Sequence, residues 1–250
     1  MLDCDIIRIE RISYFAGGMI ISDEIRGFLL SSGADLVGFA NLQDISSDAR
    51  DSLPFGMSIA VALNPHIISK IKDGPTGDYY KEYERANRLL DKLGYLAVHF
   101  FEKYGHKAKW LAATGVGYDP ETLSAPLPHK TTATLAGLGW IGKCALLVTA
   151  TFGSAVRLTT VLTDAKLPTG RLIKTPYCGK CTACVDVCPG HAPSGMSWQV
   201  GLHRDLFFDP FACRETALKL ASRRAGIQKI ICGICIAVCP WTLKYIKRNI

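Results

Sequence analysis

Roughly the first 170 residues alternate short apolar runs with amphipathic stretches, which predicts a mixed fold of helices and strands. Residues 79–104 repeat apolar side chains at helical spacing and predict a long helix with a break near Gly94. Shorter helices are predicted between Ser22 and Gly33 and over residues 130–136. Apolar runs predict buried strands at 36–40, 58–63, 110–113, 145–149 and 156–163.

Two turn-rich segments interrupt this pattern, one near the middle of the chain and one before its last third. Residues 115–128 are rich in Gly, Pro and other turn formers, and a loop of this length inside a domain is often functional. A turn at 168–170 then precedes a cysteine-rich segment, so we place a domain boundary near Ile173. The expected architecture is α+β, with a sandwich-type α/β domain over residues 1–172 and a smaller domain over 173–250.

Composition narrows the class of protein. With 48% hydrophobic and 20% charged residues in 250, the chain is globular and long enough to bury a substantial core. Its apolar stretches are shorter than the ~20 residues of a membrane-spanning helix. The acidic start, Met1 to Asp5, differs from the basic start of a secretory signal. We therefore expect a cytoplasmic protein with no membrane partner, and the net charge of +7 admits an anionic partner without naming one.

The ten cysteines are unevenly distributed, because eight of them lie between Cys178 and Cys239. They are too sparse for a disulfide scaffold, and such clustering is typical of metal ligation. The run Cys178-x2-Cys181-x2-Cys184-x3-Cys188-Pro189 matches the bacterial ferredoxin pattern, in which three thiolates bind one [4Fe–4S] cube and the fourth binds another. A zinc site would use only four thiolates and leave the other cysteines unexplained.

A second run, Cys232-x2-Cys235-x3-Cys239-Pro240, lacks the member that the same spacing would place at Lys229. Two cubes need eight thiolates, and Cys213 is the other cysteine nearby. We therefore predict two ligand sets. The first cysteine set is Cys178, Cys181, Cys184 and Cys239, and the second cysteine set is Cys188, Cys213, Cys232 and Cys235. In the alternative, Cys213 is a structural cysteine and one cluster has three protein ligands.

Residues 136–143, AGLGWIGK, match two nucleotide-binding patterns only in part. A dinucleotide fingerprint must follow a strand and open a helix, whereas a short helix precedes this segment. A phosphate loop would need Ser or Thr at Cys144, because a thiol is a poor ligand for Mg²⁺. From the residues alone, a helix C-terminal turn with close backbone packing is the alternative.

Several motifs together resemble the epoxyqueuosine reductase family, which is related to the reductive dehalogenases. Residues 129–143 read HKTTATLAGLGWIGK, and they are followed by Leu146-Leu147 and Gly153-Ser154. The four-cysteine run, the lone Cys213 and the final run ending at Trp241 then follow in the family's order. The resemblance implies a cobalamin-binding α/β domain fused to a ferredoxin-like domain with two [4Fe–4S] clusters.

The same resemblance implies roles for individual residues. The second cysteine set would pass electrons to the cobalt of a base-off corrinoid, and the protein would receive them from a low-potential donor such as a ferredoxin or flavodoxin. The residues implied to line the corrinoid are Gly137, Leu138, Gly139, Trp140, Ile141, Gly142, Lys143 and Ser154.

The chain departs from the family pattern at the expected proton donor. The family has an Asp three residues before a Pro, and alignment of that Pro with Pro126 leaves Leu123 at the position. We therefore consider His129 and Asp119 as catalytic acids, with Glu121 as a further alternative. A histidine titrates in a useful pH range for this role.

A second departure concerns the substrate. Longer family members carry a C-terminal helical-repeat extension that helps to hold tRNA, whereas this short form ends at Ile250. A basic set near the end is an alternative RNA contact, although solvated helix surfaces explain it equally well. It comprises Lys219, Arg223, Arg224, Lys229, Lys244, Lys247 and Arg248.

Three functions remain open on these grounds. The first is a cobalamin-dependent iron–sulfur reductase acting on a small molecule or nucleoside, with tRNA a weaker expectation. The second is a ferredoxin-type electron-transfer protein that reduces the corrinoid of a partner enzyme. The third is a reductase on the same scaffold with a flavin or no organic cofactor.

Overall fold

The computed structural model describes residues 17–114 and 118–250. Cys4 and part of the predicted 115–128 loop therefore lie outside the described residues. The helices are α1 (Gly17–Ser31), α2 (Pro65–Ile68), α3 (Gly77–Lys103), α4 (His129–Leu135), α5 (Ala183–Asp186), α6 (Pro210–Ala225), α7 (Ile234–Ala237) and α8 (Pro240–Asn249). The strands are β1 (Leu36–Asn41), β2 (Phe55–Ala62), β3 (Ala108–Leu111), β4 (Trp140–Ile141), β5 (Leu147–Val148) and β6 (Val156–Thr163). A single 3-10 turn spans Arg204–Leu206.

Four of the strands form one antiparallel sheet in the order β1-β2-β6-β3. Strands β2 and β6 pair along their whole length, from Phe55 opposite Thr163 to Ala62 opposite Val156. The interior of β2 is buried on both faces, which explains why its sequence is a continuous apolar run rather than an alternating one. Strands β4 and β5 form a separate two-stranded pair.

Helices cover both faces of the sheet. Met57, Ile59 and Val61 of β2 join the main core with apolar side chains of α1 and α3. On the other face α4 approaches closely because β1 and β2 carry glycine there. A Cβ on Gly38 would lie 2.7 Å from Leu138 Cδ2, and one on Gly56 would lie 2.9 Å from Thr132 Cγ2. The predicted mixed fold of helices and sheet is confirmed.

Several local boundaries differ from the sequence predictions, among them those of β2, β3 and β5. The predicted break of α3 at Gly94 is wrong, because the helix is continuous from Gly77 to Lys103. Gly94 instead lets the indole of Trp110 pack directly on the helix backbone, and a Cβ there would lie 2.3 Å from Trp110 Cδ1. Helix α1 also begins at Gly17, before the predicted start at Ser22.

The cysteine-rich end shares the core of the α/β part. The predicted boundary near Ile173 falls in a segment without helix or strand, between Thr163 and Ala183. Beyond it, Ala221 of α6 and Tyr245 of α8 are buried in the main core, and Tyr245 donates a hydrogen bond to Leu63 O at 3.1 Å. This packing fixes where the cysteines lie relative to the sheet.

None of the helices within 17–114 and 118–250 is long and apolar enough to cross a membrane.

Helix α3 offers a matched test of the packing at Gly94. Gly94→Ala should lower the free energy of unfolding by about 1–3 kcal/mol, because the added methyl group overlaps the Trp110 ring and outweighs the helix-propensity gain. Gly77→Ala, at the start of the same helix and with open space around it, should change it by less than about 0.5 kcal/mol. Urea unfolding measures both, and equal values would contradict the packing argument.

Candidate iron–sulfur centre

The first cysteine set surrounds one cavity. Cys178 and Cys181 lie on the turn that precedes α5, where Cys181 N–H donates to Cys178 O at 2.9 Å, and Cys184 lies on α5 itself. Cys239 caps the N-terminus of α8. All four line a cavity of about 110 Å³ together with Tyr177, Pro240, Trp241 and others. The prediction that a distant cysteine joins the loop cysteines thus agrees with their placement.

Helix α8 is suited to hold a thiolate at its N-terminus. Pro240 occupies its first turn, where the missing N–H costs nothing. Burial raises the pKa of the Cys239 thiol, whereas the nearby backbone amides of Thr242 and Trp241 lower it. The partial positive charge at a helix N-terminus stabilises a negative ligand sulfur.

The second cysteine set is also brought together. The pKa of Cys213 is raised to about 11, first by burial and then by the nearby charges of Cys232 and Cys188. Cys213 lies on α6, far from the other two in sequence, and the fold carries it to them. Cys232 and Cys235 both lie near the phenol of Tyr79, whose pKa is raised mainly by burial. This placement supports Cys213 as a ligand rather than a separate structural cysteine.

Cys144 is a ninth thiol at the centre, and sequence reasoning assigned it no role. It is buried, lines the same cavity, and contacts Cys184 of the first set and Cys235 of the second. The contact with Cys144, together with burial, raises the pKa of the Cys184 thiol. The only sequence signal was its position directly after Lys143 in the glycine segment.

The donor set matches what a [4Fe–4S] cube needs. Such a cube is held by four Cys thiolates and carries net negative charge with them. The cavity is lined by the four thiols of the first set, by Cys144 and Cys235, by the N-terminus of α8 and by the buried residue Lys143. In the described part of the chain, no group of three or more His, Cys, Asp or Glu side chains is arranged to hold a single metal ion.

The glycine segment forms the C-terminal turn of α4. Gly137 adopts a left-handed φ of 73°, its N–H donates to Thr134 O at 3.0 Å, and Leu138 N–H donates to Ala133 O at 3.0 Å. This pair of bonds is a Schellman motif. A Cβ on Gly139 would lie 2.2 Å from Val148 O, so that glycine allows close packing of two backbone segments. This geometry is the helix C-terminal turn with close backbone packing that the residues alone offered as the alternative.

The side chains predicted to line a corrinoid face protein instead. Trp140, Ile141 and Lys143 are buried, and Lys143 lies in the cysteine-lined cavity. The Ser154 amide donates to Thr242 Oγ1 at 3.1 Å, and the two hydroxyls are 3.4 Å apart. Gly137 and Leu138 are half-buried. These side chains therefore do not form an open cradle for a corrinoid, and we derive no step through one at this segment.

His129 is a hydrogen-bonded, half-buried histidine. Its Nε2 lies 3.0 Å from Ala112 O and its Nδ1 lies 2.9 Å from Thr160 Oγ1. Because a carbonyl only accepts, Nε2 carries the proton and Nδ1 accepts from the Thr160 hydroxyl. Burial lowers the pKa of His129, so the neutral ring is favoured. This arrangement favours a structural role, and the catalytic role stays a prediction.

Asp119 lies in an exposed turn. Its carboxylate accepts from the Glu121 amide at 2.8 Å and from the Thr122 hydroxyl at 2.9 Å, and these bonds lower its pKa. An ionised carboxylate is a poor proton donor near neutral pH. Leu123 has a φ of 51°, and the guanidinium of Arg204 holds the turn through Leu123 O at 2.7 Å.

Lys130 is a titratable group that sequence reasoning missed. Its Nζ donates to Ala145 O at 2.8 Å, and burial together with the charge of Arg204 lowers its pKa to about 8. It follows directly after His129, within the motif that carries the family resemblance. A cation with this pKa can release a proton close to physiological pH.

The basic set lies on the exposed surfaces of α6, α8 and the loop between α6 and α7. Lys219 pairs with Glu215, Lys244 lies 4.5 Å above the ring of Trp241, and Arg248 donates to Thr151 O. Several of these cations are therefore already engaged within the protein.

The cysteine-rich part has a known counterpart. Residues 177–242 match the family model described as a 4Fe-4S double cluster binding domain. The matched segment contains all eight cysteines of the two sets. The chain is therefore a double-cluster iron–sulfur protein, and two [4Fe–4S] clusters are its cofactors.

Similarity across more of the chain indicates a particular group of reductases. The epoxyqueuosine reductase of Synechococcus sp. strain RCC307 is 30% identical over 201 residues, which cover 76% of this chain and 56% of that protein. The Pseudomonas aeruginosa enzyme is 34% identical over 119 residues, 47% of this chain and 32% of that one. The resemblance to the epoxyqueuosine reductases is confirmed, although this chain spans only about a third to just over half of these two relatives.

Solved structures agree on the fold. The catabolic reductive dehalogenase NpRdhA superposes with a TM-score of 0.70 at 15% identity, over 94% of this chain and 34% of that one. An epoxyqueuosine reductase with an epoxyqueuosine-modified tRNA-Tyr stem loop superposes with a TM-score of 0.59 at 19% identity, over 90% and 66%. At these identities the likeness establishes the architecture.

The ligand assignment predicts opposite results for two cysteine substitutions. Cys213→Ala should remove iron from one cluster, because a second-set thiolate is lost. Cys144→Ala removes a buried thiol that is not assigned as a ligand, so it should keep about eight irons per chain. Iron and sulfide assays after anaerobic loading measure both. Full iron in Cys213→Ala, or loss in Cys144→Ala, would require a different ligand set.

His129 predicts a pH dependence of stability. Because its pKa in the folded protein lies below the usual value of about 6.5, the unfolded chain binds more protons as pH falls. Stability present above pH ~6.5 is therefore lost toward lower pH. His129→Gln should reduce the drop in unfolding free energy between pH 7.5 and 6. The exposed His66→Gln is the matched control, and an unchanged drop in His129→Gln would show that the buried ring contributes nothing to it.

Proposed function

We propose that this chain is an iron–sulfur oxidoreductase of the epoxyqueuosine reductase type, which passes low-potential electrons through two [4Fe–4S] clusters to a base-off corrinoid. Its substrate class is a modified nucleoside, and its electrons come from a low-potential ferredoxin or flavodoxin. The activity of the relatives named above supports this proposal for the whole protein.

The observation that carries the proposal is that the cysteines form two sets around a shared centre. Cys178, Cys181, Cys184 and Cys239 line one cavity, and Cys213 lies with Cys188 and Cys232. Cys144 contacts a member of each set, so the two sets lie side by side. Two adjacent clusters transfer single electrons between them, which suits an acceptor reduced in one-electron steps.

The chain's own residues have distinct tasks in this scheme. The cysteine sets bind the cubes, and the main core excludes water from the side that faces α3 and the sheet. Lys130 has the pKa best suited to deliver a proton near the 118–128 loop, whereas Asp119 is held ionised. A corrinoid, when bound, would supply a low-potential cobalt that reacts as a strong nucleophile.

A second candidate function is an electron-transfer protein that reduces the corrinoid of a partner enzyme. Two observations favour it. The glycine-segment side chains are packed against protein rather than open to a ligand. A structure of the Bacillus subtilis epoxyqueuosine reductase shows a catalytic loop with an aspartate swung out of the active site, whereas this chain has Leu123 at the position aligned by motif.

Electron paramagnetic resonance separates the two candidates. The full chain is loaded anaerobically with iron and sulfide and mixed with cob(II)alamin without reductant, because reduced clusters would convert cobalt(II) to EPR-silent cobalt(I). The clusters are observed in a separate, reduced sample. A stoichiometric base-off cobalt(II) signal supports a corrinoid bound on this chain. Two reduced clusters with an unchanged cobalt signal contradict the reductase with its own corrinoid and favour the electron-transfer protein.

Turnover then tests the substrate class. An epoxyqueuosine-modified tRNA stem loop and the free modified nucleoside are offered with reductant and cobalamin. Reduction of either supports the nucleoside class, and the ratio of the two rates shows how much the RNA contributes. No reduction of either, by protein with both clusters and bound corrinoid, would overturn the proposed substrate class. Lys130→Met should slow turnover without loss of iron, whereas an unchanged rate would exclude Lys130 as the proton donor.

A further inference from the structure

Lys143 is a buried cation with no anionic protein partner at hand. Its residue is 7% exposed, and none of the ion pairs in the described chain involves it. A buried ammonium group is costly unless a negative charge compensates it. Lys143 lines the cavity of the first cysteine set, and its charge acts on Cys184. The group that compensates it is therefore expected in that cavity.

The charges around the second cysteine set have the opposite sign. The charged groups that act on Cys213 are Cys232, Cys188 and the carboxylate of Asp209, and the one that acts on Cys232 is Cys188. Asp209 is exposed and caps α6, where it accepts from the amides of Phe211 and Ala212 at 2.9 and 3.0 Å. The buried cation Lys143 thus acts on the first set beside the thiols Cys144 and Cys178, whereas the charges that act on Cys213 and Cys232 are all anionic.

A charge that lies close to an iron–sulfur cluster changes the reduction potential of that cluster. Reduction adds an electron to a cube that is already negative, so a nearby cation stabilises the reduced state and raises the potential. The effect is large where water is excluded and small for an exposed charge, which solvent and salt screen.

We propose that Lys143 sets the order of the two cluster potentials, by raising the potential of the cluster at the first cysteine set above that of the cluster at the second. The inference rests on the two clusters of the proposed function and does not depend on a corrinoid or on the substrate. Lys143 acts through its charge on the cluster. It is therefore a positioning residue and not a catalytic residue.

The test is a redox titration of the full iron-loaded chain, followed by electron paramagnetic resonance. The wild type should show two reduction steps. In Lys143→Met the higher reduction step should move to a lower potential. The equilibrium constant for that reduction should fall at least tenfold, which corresponds to about 59 mV for one electron. The lower step should stay in place. Lys143→Arg keeps the charge and should retain the wild-type order.

Lys180→Met is the matched control, because Lys180 lies beside Cys181 in the same loop but is exposed. Its shift should be a small fraction of that in Lys143→Met. A shift as large as that one would mean that net charge, not the buried site, sets the potential. An equal shift in Lys143→Arg would show that packing is responsible. Either result overturns the inference.

Iron content separates failure of this inference from failure of the proposed function. About eight irons per chain with unchanged potentials in Lys143→Met would overturn only the role of Lys143. A wild-type chain that takes up no iron would overturn the cluster assignment and this inference with it. If Lys143→Met takes up less iron than the wild type, Lys143→Gln replaces it under the same criteria.

Discussion

Four thiolates share one iron cube only if distant parts of the chain are held within a few ångströms of each other, and helix α8 meets that constraint here. Helix α8 begins directly after Cys239. Its buried face is held by the hydrogen bond from the Tyr245 hydroxyl to Leu63 O and by the one from the Ser154 amide to Thr242 Oγ1. A Cβ on Gly153 would lie 2.2 Å from the Thr242 amide nitrogen, so the helix rests directly on a glycine turn of the α/β part. The ligand geometry therefore depends on the same core that stabilises the sheet.

The glycine segment connects this core to the candidate iron–sulfur centre. Helix α4 ends in the turn at Gly137, and the backbone at Gly139 then packs closely against Val148 O. A few residues later, Lys143 and Cys144 line the cysteine cavity. Two chemically different side chains thus enter from the α/β part, a cation and a thiol. Residues that lie outside the cysteine runs therefore contribute a cation and a thiol to the lining of the cavity.

The loop that precedes α4 differs in character from the cluster region. Asp119 and Leu123 lie in a short turn that Arg204 pins through backbone oxygens, and His129 is satisfied by Thr160 and Ala112. Lys130 has the most perturbed side chain there, with a pKa lowered to about 8. The titratable groups here therefore differ from a carboxylate-based set, because hydrogen bonds lower the pKa of Asp119 while burial lowers that of Lys130.

The sequence by itself determined the iron–sulfur chemistry, because ligand spacing on a tight loop is a local property that fixes which sulfurs point inward. It also determined the long helix and the strand at β6, whose patterns reflect nearby burial. Only the tertiary structure decided that Cys144 contacts both cysteine sets, that Gly94 accommodates Trp110 without a break, and that Lys143 faces a cavity of thiols. These depend on contacts between segments far apart in the chain, and local patterns carry no information about which distant surface covers a given side chain.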